Sequence, residues 1–220
     1  GGGVVVSAAL AIYGRALRAA AAGGAAPLVA LDDRGGRRVF DAARWCAELV
    51  AGDPALLDRC DGPTLDVGCG AGRLTAALTR RGQAALGVDV SPAAVRLARG
   101  RGATALRRDV FAPLPGEGRW RRLLLADGNI GIGGDPVHLL GRCRELIAAD
   151  GEVLAETDPP RAASWSGALR VSTPGGLVSA PFPWAYVSAD DLAEIARTAA
   201  LRVLGSWTEA GRWFARLARR

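Results

Sequence analysis

Three aspartates and three glycines carry the chemistry that can be read most directly from this sequence. Asp66 precedes Gly68, Gly70 and Gly72 in LDVGCGAGRL, Asp89 ends GVDVS, and Asp109 lies in RRDVF. Glycines at alternate positions let the backbone take left-handed dihedrals and approach a ligand closely, and a helix starting just after them offers unpaired N–H groups to an anionic part of it. Carboxylates at strand ends accept from hydroxyls and amines. Asp89 is therefore a candidate for a ribose, and Asp109 for an adenine amino group, with Val110 and Phe111 beside the ring. The same glycine spacing also serves an ordinary strand-to-helix turn. A P-loop is excluded because Arg73 stands where a Lys followed by Ser or Thr is needed, whereas a dinucleotide-binding turn stays a competitor.

The elements that must hold these residues follow from periodicity. From Pro63 onward TLDV, ALGVDV, TALRR, RRLLLAD and GEVLAET read as strands, alternating with TAALTRR, SPAAVRLARGRG and PVHLLGRCRELIAAD as helices. Ser91 caps the second of these helices, Pro92 opens its first turn, and Gly151 closes the third. Such repeats imply an α/β fold with a mostly parallel sheet covered on both faces, whose ligands bind outside the carboxyl ends of the strands. After Pro160 the pattern changes. ALRVSTPGGLVSAPF reads as a hairpin turning at PGG, SADDLAEIARTAA as a helix capped by Ser188, and LRVLGSWTEAGRWFARLAR as two strands joined at EAG.

Residues 1–60 read as an N-terminal cap within the same domain: a helix from Val5 to Ala22, a hairpin or irregular lid over PLVALDDRGGRRVF, and a second helix after Asp41 containing Trp45, Leu49 and Val50. Residues 61–220 then form the ligand-binding domain, with the inserted hairpin at about 165–185. Gly1–Gly3, with no initiator Met, read as a trimmed start and are set aside. The apolar run behind them lacks the basic start and cleavage pattern of a signal peptide, and Arg15 and Arg18 interrupt it too early for a membrane span.

Composition narrows the partners. The formal charge is +6 and all 28 basic residues are Arg, scattered singly and in short pairs through the 220 residues. Dispersed pairs disfavour a nucleic-acid partner, which needs a converging patch. The cysteines Cys46, Cys60, Cys69 and Cys143 form no CxxC pair, so they read as reduced thiols of a cytoplasmic protein without a metal site.

Together LDVGCGAGRL, GVDVS, RRDVF and LLLADGNIG resemble the class I S-adenosylmethionine-dependent methyltransferases, closely over residues 60–158 and more loosely toward the C-terminus. The chain looks like a small, actinobacterial-type member of that family. The resemblance implies a Rossmann-like, seven-stranded, mostly parallel sheet ending in an antiparallel C-terminal hairpin, with S-adenosyl-L-methionine as cofactor. It also implies direct methyl transfer to an oxygen or nitrogen of a small-molecule or peptide-like metabolite. Asp66 and the turn containing Gly68, Cys69, Gly70 and Gly72 would hold the methionine end, Asp89 and Val90 the ribose, and Asp109 and Val110 the adenine edge. Asp127 would stand where the methyl is presented.

Acceptor-side expectations follow. Asp127 and Asn129 reach the crevice beside glycines that leave room for a substrate, and the Asn-Pro-Pro-aromatic motif of amino-directed nucleic-acid methyltransferases is absent there. His138, the single histidine, and Asp127 are the catalytic candidates, His138 as a base or as an ordinary residue of its helix. Glu156 and Asp158 orient an acceptor or satisfy the turn before Pro159. Trp184 and Tyr186 stack on a flat acceptor or close the core, and Tyr13 and Trp45 fold over the cofactor. The rival readings are an RNA-directed methyltransferase and a cofactor-binding protein without turnover. Monomer and homodimer are both open.

Overall fold

The computed structural model describes residues 2–220, with side chains from residue 8 onward; Gly1 lies outside the described residues. The chain begins with helix α1 (Gly2–Ala21), a hairpin of β1 (Pro27–Asp32) and β2 (Arg37–Asp41), and the short helices α2 (Ala42–Cys46) and α3 (Asp53–Leu57). Next come β3 (Thr64–Val67), α4 (Arg73–Arg80), β4 (Ala85–Asp89), α5 (Pro92–Gly100), β5 (Ala105–Arg107) and β6 (Trp120–Leu125). A short helical segment over Asn129–Gly134 leads into α6 (Pro136–Leu146), and β7 (Ile147–Thr157) follows. The chain ends with β8 (Trp165–Ser172), β9 (Phe182–Tyr186), α7 (Leu192–Thr198), β10 (Leu201–Glu209) and β11 (Arg212–Arg219).

Seven strands form the main sheet in the order β10-β11-β7-β6-β3-β4-β5. β7, β6, β3, β4 and β5 run parallel, β11 lies antiparallel beside β7, and β10 pairs antiparallel with β11 to complete the expected terminal hairpin. Ala210 and Gly211, both at positive φ, make its two-residue turn, the geometry that follows the twist of the flanking strands. The sheet is buried on both faces because alternate strand residues enter different cores. Leu123, Leu125 and Val153 pack on the α6 side, and Leu124, Leu154 and Phe214 on the side of α3 and α4. No helix among the described residues is long and apolar enough to cross a membrane.

A second sheet, of four antiparallel strands in the order β2-β1-β8-β9, lies across the sequence divisions. The N-terminal hairpin and the inserted hairpin, expected as separate attachments, are joined by β1 pairing with β8, with Ala30 opposite Val171 and Leu31 opposite Arg170. Each hairpin alone would leave an edge unpaired and an apolar face uncovered, and their union removes one edge from each. The alternation Leu28 and Ala30 on β1, with Trp165 and Leu169 on β8, puts the buried side chains on one face.

Three boundaries differ from the sequence expectation. The second helix stops at Cys46, short of Leu49 and Val50, because Gly52 at φ 90° and Pro54 in the next first turn begin α3 instead. The helix α6 ends at Leu146, and Ile147 through Asp150 already belong to β7. Gly151 is thus a strand residue and not a helix terminator: a Cβ there would stand 2.6 Å from the Trp120 carbonyl oxygen, beside a register shift between β6 and β7. Asp191 occupies the cap position of α7, and the Ser188 hydroxyl accepts from the Asp190 amide just upstream.

Gly72 is the glycine on which the packing of β3, α4 and α5 most depends. Its φ is +79°, and a Cβ would fall 2.6 Å from the Ala98 Cβ and 2.8 Å from the Ala98 Cα of α5. Gly72→Ala is expected to destabilise the fold by on the order of 2 kcal/mol or more, from dihedral strain plus backbone collision. Thermal unfolding measures this; an unchanged Tm would contradict the packing described.

Candidate functional site

The glycine turn is built by β4 as much as by its own sequence. The Gly68 and Cys69 amides donate to the Val88 carbonyl, and the Gly70 amide donates to Asp89 Oδ2 at 3.0 Å. Asp89 Oδ1 accepts from the Ser91 amide at 2.8 Å, while the Ser91 hydroxyl accepts from Ala94 and caps α5 as expected. Each Asp89 oxygen keeps a second lone pair for a ligand. Gly68, Gly70 and Gly72 all have positive φ, but their surroundings differ. At Gly70 the one atom that an added Cβ would meet is the Tyr13 hydroxyl oxygen at 3.1 Å, so this backbone is open toward the cavity. Cys69 turns its thiol under the turn against Gly87, and burial raises that thiol.

Asp66 is buried at the end of β3 and accepts from the Thr75 hydroxyl at 2.7 Å. Burial pushes its carboxyl up to about 6, against the lowering effect of the Thr75 hydrogen bond and Arg73. Asp109 is exposed after β5 and accepts from the Phe111 amide, with Val110 buried beside it. Val90 is exposed at the rim.

Two arginines that sequence reasoning gave no role lie behind Asp127. Arg73, only 3% exposed, bridges Asp53 and Asp127. Arg212 holds Glu156 through two 2.8 Å hydrogen bonds, donates to Asp53 at 2.8 Å, and lies 3.6 Å from Asp127. Glu156 Oε2 also accepts from the Asp127 amide at 2.7 Å, which pins Asp127 in its left-handed conformation at φ 53°. Burial and Glu156 raise the Asp127 carboxyl while Arg73 and Arg212 oppose them. Burial also works to raise Asp53, but the two arginines outweigh it and hold that carboxyl low. The cluster sums to three carboxylates and two guanidiniums, leaving one negative charge in excess. The Gly52-Asp53-Pro54 start of α3 and the Arg after Gly72 are visible in sequence, but nothing local links them to Arg212.

Above these groups stands a cavity of about 650 Å³. Its floor includes Asp66, Gly70, Asp89, Asp109 and Asp127, so the three strand-end acids and the glycine turn share one space as expected. Its roof is the inner face of the four-stranded sheet together with α1 and α2, presenting Phe40, Leu169, Val171, Phe182, Trp184 and Tyr186. Tyr13 and Trp45 line it too, their rings 5.7 Å apart edge to face.

Several candidates have partners that the sequence did not indicate. His138 is exposed on α6, outside this cavity, with its ring stacked on Phe111 at 4.6 Å. The expectation of a histidine base facing the crevice is corrected: Leu139 and Leu140 turn inward to the core, which rotates His138 to the outer surface. The Asn129 amide donates to the Val67 and Gly68 carbonyls at 2.9 Å and braces the glycine turn. Glu156 is occupied by Arg212 and the Asp127 amide. Asp158 receives two hydrogen bonds from Arg38 of β2, at 3.0 and 2.6 Å, and Arg38 lies 3.5 Å over the Tyr186 ring. That ion pair ties the roof to the end of β7.

Residues 64–133 match the family model described as "Methyltransferase domain". Among solved structures, an S-adenosylmethionine-dependent methyltransferase from Bacteroides fragilis, in complex with S-adenosyl-L-homocysteine, is 19% identical, with 94% of each chain covered and a TM-score of 0.77. The CcbJ methyltransferase from Streptomyces caelestis is 18% identical over 76% of this chain and 88% of that one, with a TM-score of 0.59. The 1,6-didemethyltoxoflavin-N1-methyltransferase of Burkholderia thailandensis is 21% identical, with 76% of each chain covered and a TM-score of 0.53. A search of curated protein sequences found no match.

The Asp66 carboxyl supplies a test of the site's electrostatics. An acid raised in the folded state keeps its proton where the unfolded chain has lost it, so this group's contribution to stability falls as pH rises from about 4 to about 6 and then levels. Asp66→Asn removes that dependence and retains an acceptor for Thr75. The variant is expected to gain on the parent by up to ~2 to 3 kcal/mol between about pH 4 and about pH 7. Urea unfolding at both pH values reads the difference; a constant gap would mean that Asp66 titrates as an ordinary carboxylate.

Proposed function

We propose that this chain, which has the class I methyltransferase fold, transfers a methyl group from S-adenosyl-L-methionine to an oxygen or nitrogen of a small-molecule or peptide-like metabolite. The observation that carries the reading is the single cavity in which the open Gly70 backbone and the acids of three successive strand ends face an aromatic roof. A nucleoside with a charged amino-acid tail fits that donor set: carboxylates for hydroxyls and amino groups, a glycine backbone for close approach, and an excess of buried negative charge for a cationic ligand.

When bound, the cofactor would supply an electrophilic methyl on a sulfonium, the acceptor lone pair forming a bond to that carbon as the carbon–sulfur bond breaks and neutral S-adenosylhomocysteine leaves. Asp66 and the Gly68–Gly72 turn hold its methionine end, Asp89 with Val90 the ribose, and Asp109 with Val110 the adenine edge. Asp127, fixed by Arg73, Arg212 and the Glu156 contact to its amide, positions the loop at the acceptor side. Its Oδ2 is engaged by Arg73, its Oδ1 faces Arg212 at 3.6 Å, and His138 is outside the cavity. The chain's contribution is accordingly alignment and exclusion of water under the roof. That suits an acceptor whose lone pair is already available, such as an amine, a ring nitrogen or an acidic hydroxyl.

Calorimetric titration tests the cofactor class. S-adenosylmethionine and S-adenosylhomocysteine are expected to bind and NAD not to; folded protein that binds neither of the first two would overturn the reading. Affinity for S-adenosylmethionine should rise from pH 5 toward pH 7 as Asp66, raised to about 6, becomes charged for a cationic ligand. Gly70→Val places carbon at a φ of 54° beside Tyr13, and should weaken binding about tenfold or more through strain of roughly 1–3 kcal/mol.

A further inference from the structure

Resting on that reading of the cavity, we infer that the methyl acceptor is a neutral, planar aromatic small molecule held against the aromatic roof, with a hydroxyl or amino group directed to Asp158. The chain is poor in aromatic residues, with six Trp, four Phe and two Tyr making 5% of it. Seven of those twelve line this one cavity. All but Phe111 reach it from the two hairpins and the helical cap. Tyr13, Phe40 and Trp45 form one group, with Phe40 and Trp45 stacked at 5.9 Å, while Phe182 and Trp184 form a second, edge to face at 6.3 Å. A ring that serves only to pack a core is fully enclosed, as Phe214 is in the sheet. Here Phe40, Phe182 and Trp184 remain half-buried with faces or edges open to the cavity, which suits partners that are themselves π systems.

The charge of the roof is cancelled locally. Its inner face carries one cation, Arg38, and that guanidinium is both paired with Asp158 and stacked on Tyr186. Burial and the nearby Asp89 raise the Tyr13 hydroxyl, and burial raises that of Tyr186, so both stay protonated. Arg44 and Arg108, the lining arginines with no carboxylate partner among the described residues, are solvent-exposed at the rim. A charged acceptor would thus lose water without finding a free counter-charge under the roof. Asp158, half-buried, gives one lone pair on each oxygen to Arg38 and keeps another, enough to take a hydrogen bond from a phenolic hydroxyl or an aryl amine. A sugar lacks the π face, and an aliphatic polyamine lacks both the π face and neutrality.

The test compares 2-naphthol with decahydro-2-naphthol, which has the same skeleton and hydroxyl but no π face, and with glucosamine, each titrated calorimetrically into the full chain with and without saturating S-adenosylhomocysteine. Naphthol is expected to bind about tenfold tighter than its saturated analogue, the preference that ring stacking supplies, and glucosamine to show no binding. Trp184→Leu should abolish most of that preference while leaving S-adenosylhomocysteine affinity unchanged; Phe40→Leu serves if the first variant does not fold. Equal or tighter binding of the saturated alcohol, binding of glucosamine alone, or no naphthol binding overturns the inference. Should S-adenosylhomocysteine fail to bind, the cofactor reading falls, while the naphthol preference measured without it still decides the character of the roof.

Discussion

Two buried guanidiniums set the terms on which the rest of this structure is assembled. Arg73 and Arg212 are almost without solvent contact, and a charge taken out of water must find opposite charges with good geometry. The carboxylates that answer them come from α3, from the loop after β6 and from the end of β7, while the arginines themselves begin α4 and β11. Five segments spread over the chain thus meet behind one wall of the cavity. Removing one partner from such a cluster costs about 3–5 kcal/mol, a large part of the roughly 5–15 kcal/mol that keeps a domain folded. The left-handed turn at Asp127 is held by this arrangement, so the shape of that wall of the cavity is bound up with stability.

On the opposite wall the constraint is the edge of a sheet. A two-stranded hairpin is marginal in water, and two such hairpins, one before the main sheet and one inserted near its end, solve the problem by pairing with each other. The resulting roof is held to the main sheet through the Arg38–Asp158 pair and through the packing of β9 on the segment 129–134, where Gly131 lets the Ala185 carbonyl and the Trp184 indole approach. The floor is polar and made by strand ends, the roof apolar and made by strand faces. A ligand with one polar, nucleoside-like part and one flat part matches that division.

Much of the floor was legible before folding. The alternate glycines, Asp66, Asp89 and Asp109 are local features, each fixed by a strand end and its turn, and they converge because parallel strands of one sheet all end on the same side. The Ser91 cap and the terminal hairpin were readable for the same reason. For His138 the apolar residues 137, 139 and 140 already offered an ordinary place on the helix beside the role of base, but which way the ring faces relative to the crevice depends on the sheet below. Gly151 was misread because a glycine after an amphipathic run looks like a terminator, whereas here it admits the Trp120 carbonyl within a strand.

The sequence by itself determined the α/β alternation, the glycine turn with its three acids, and the positions of the hairpins, since these depend on periodicity and on backbone preferences within a few residues. Only the tertiary structure decided that the two hairpins form one roof, that Asn129, Glu156 and Asp158 take protein partners, and that Asp53, Arg73 and Arg212 converge behind Asp127. Those outcomes rest on pairing edges and cancelling buried charges between residues distant in the chain. A linear pattern carries no record of such pairs, because any of 28 arginines could answer any carboxylate until packing removes the water between two of them.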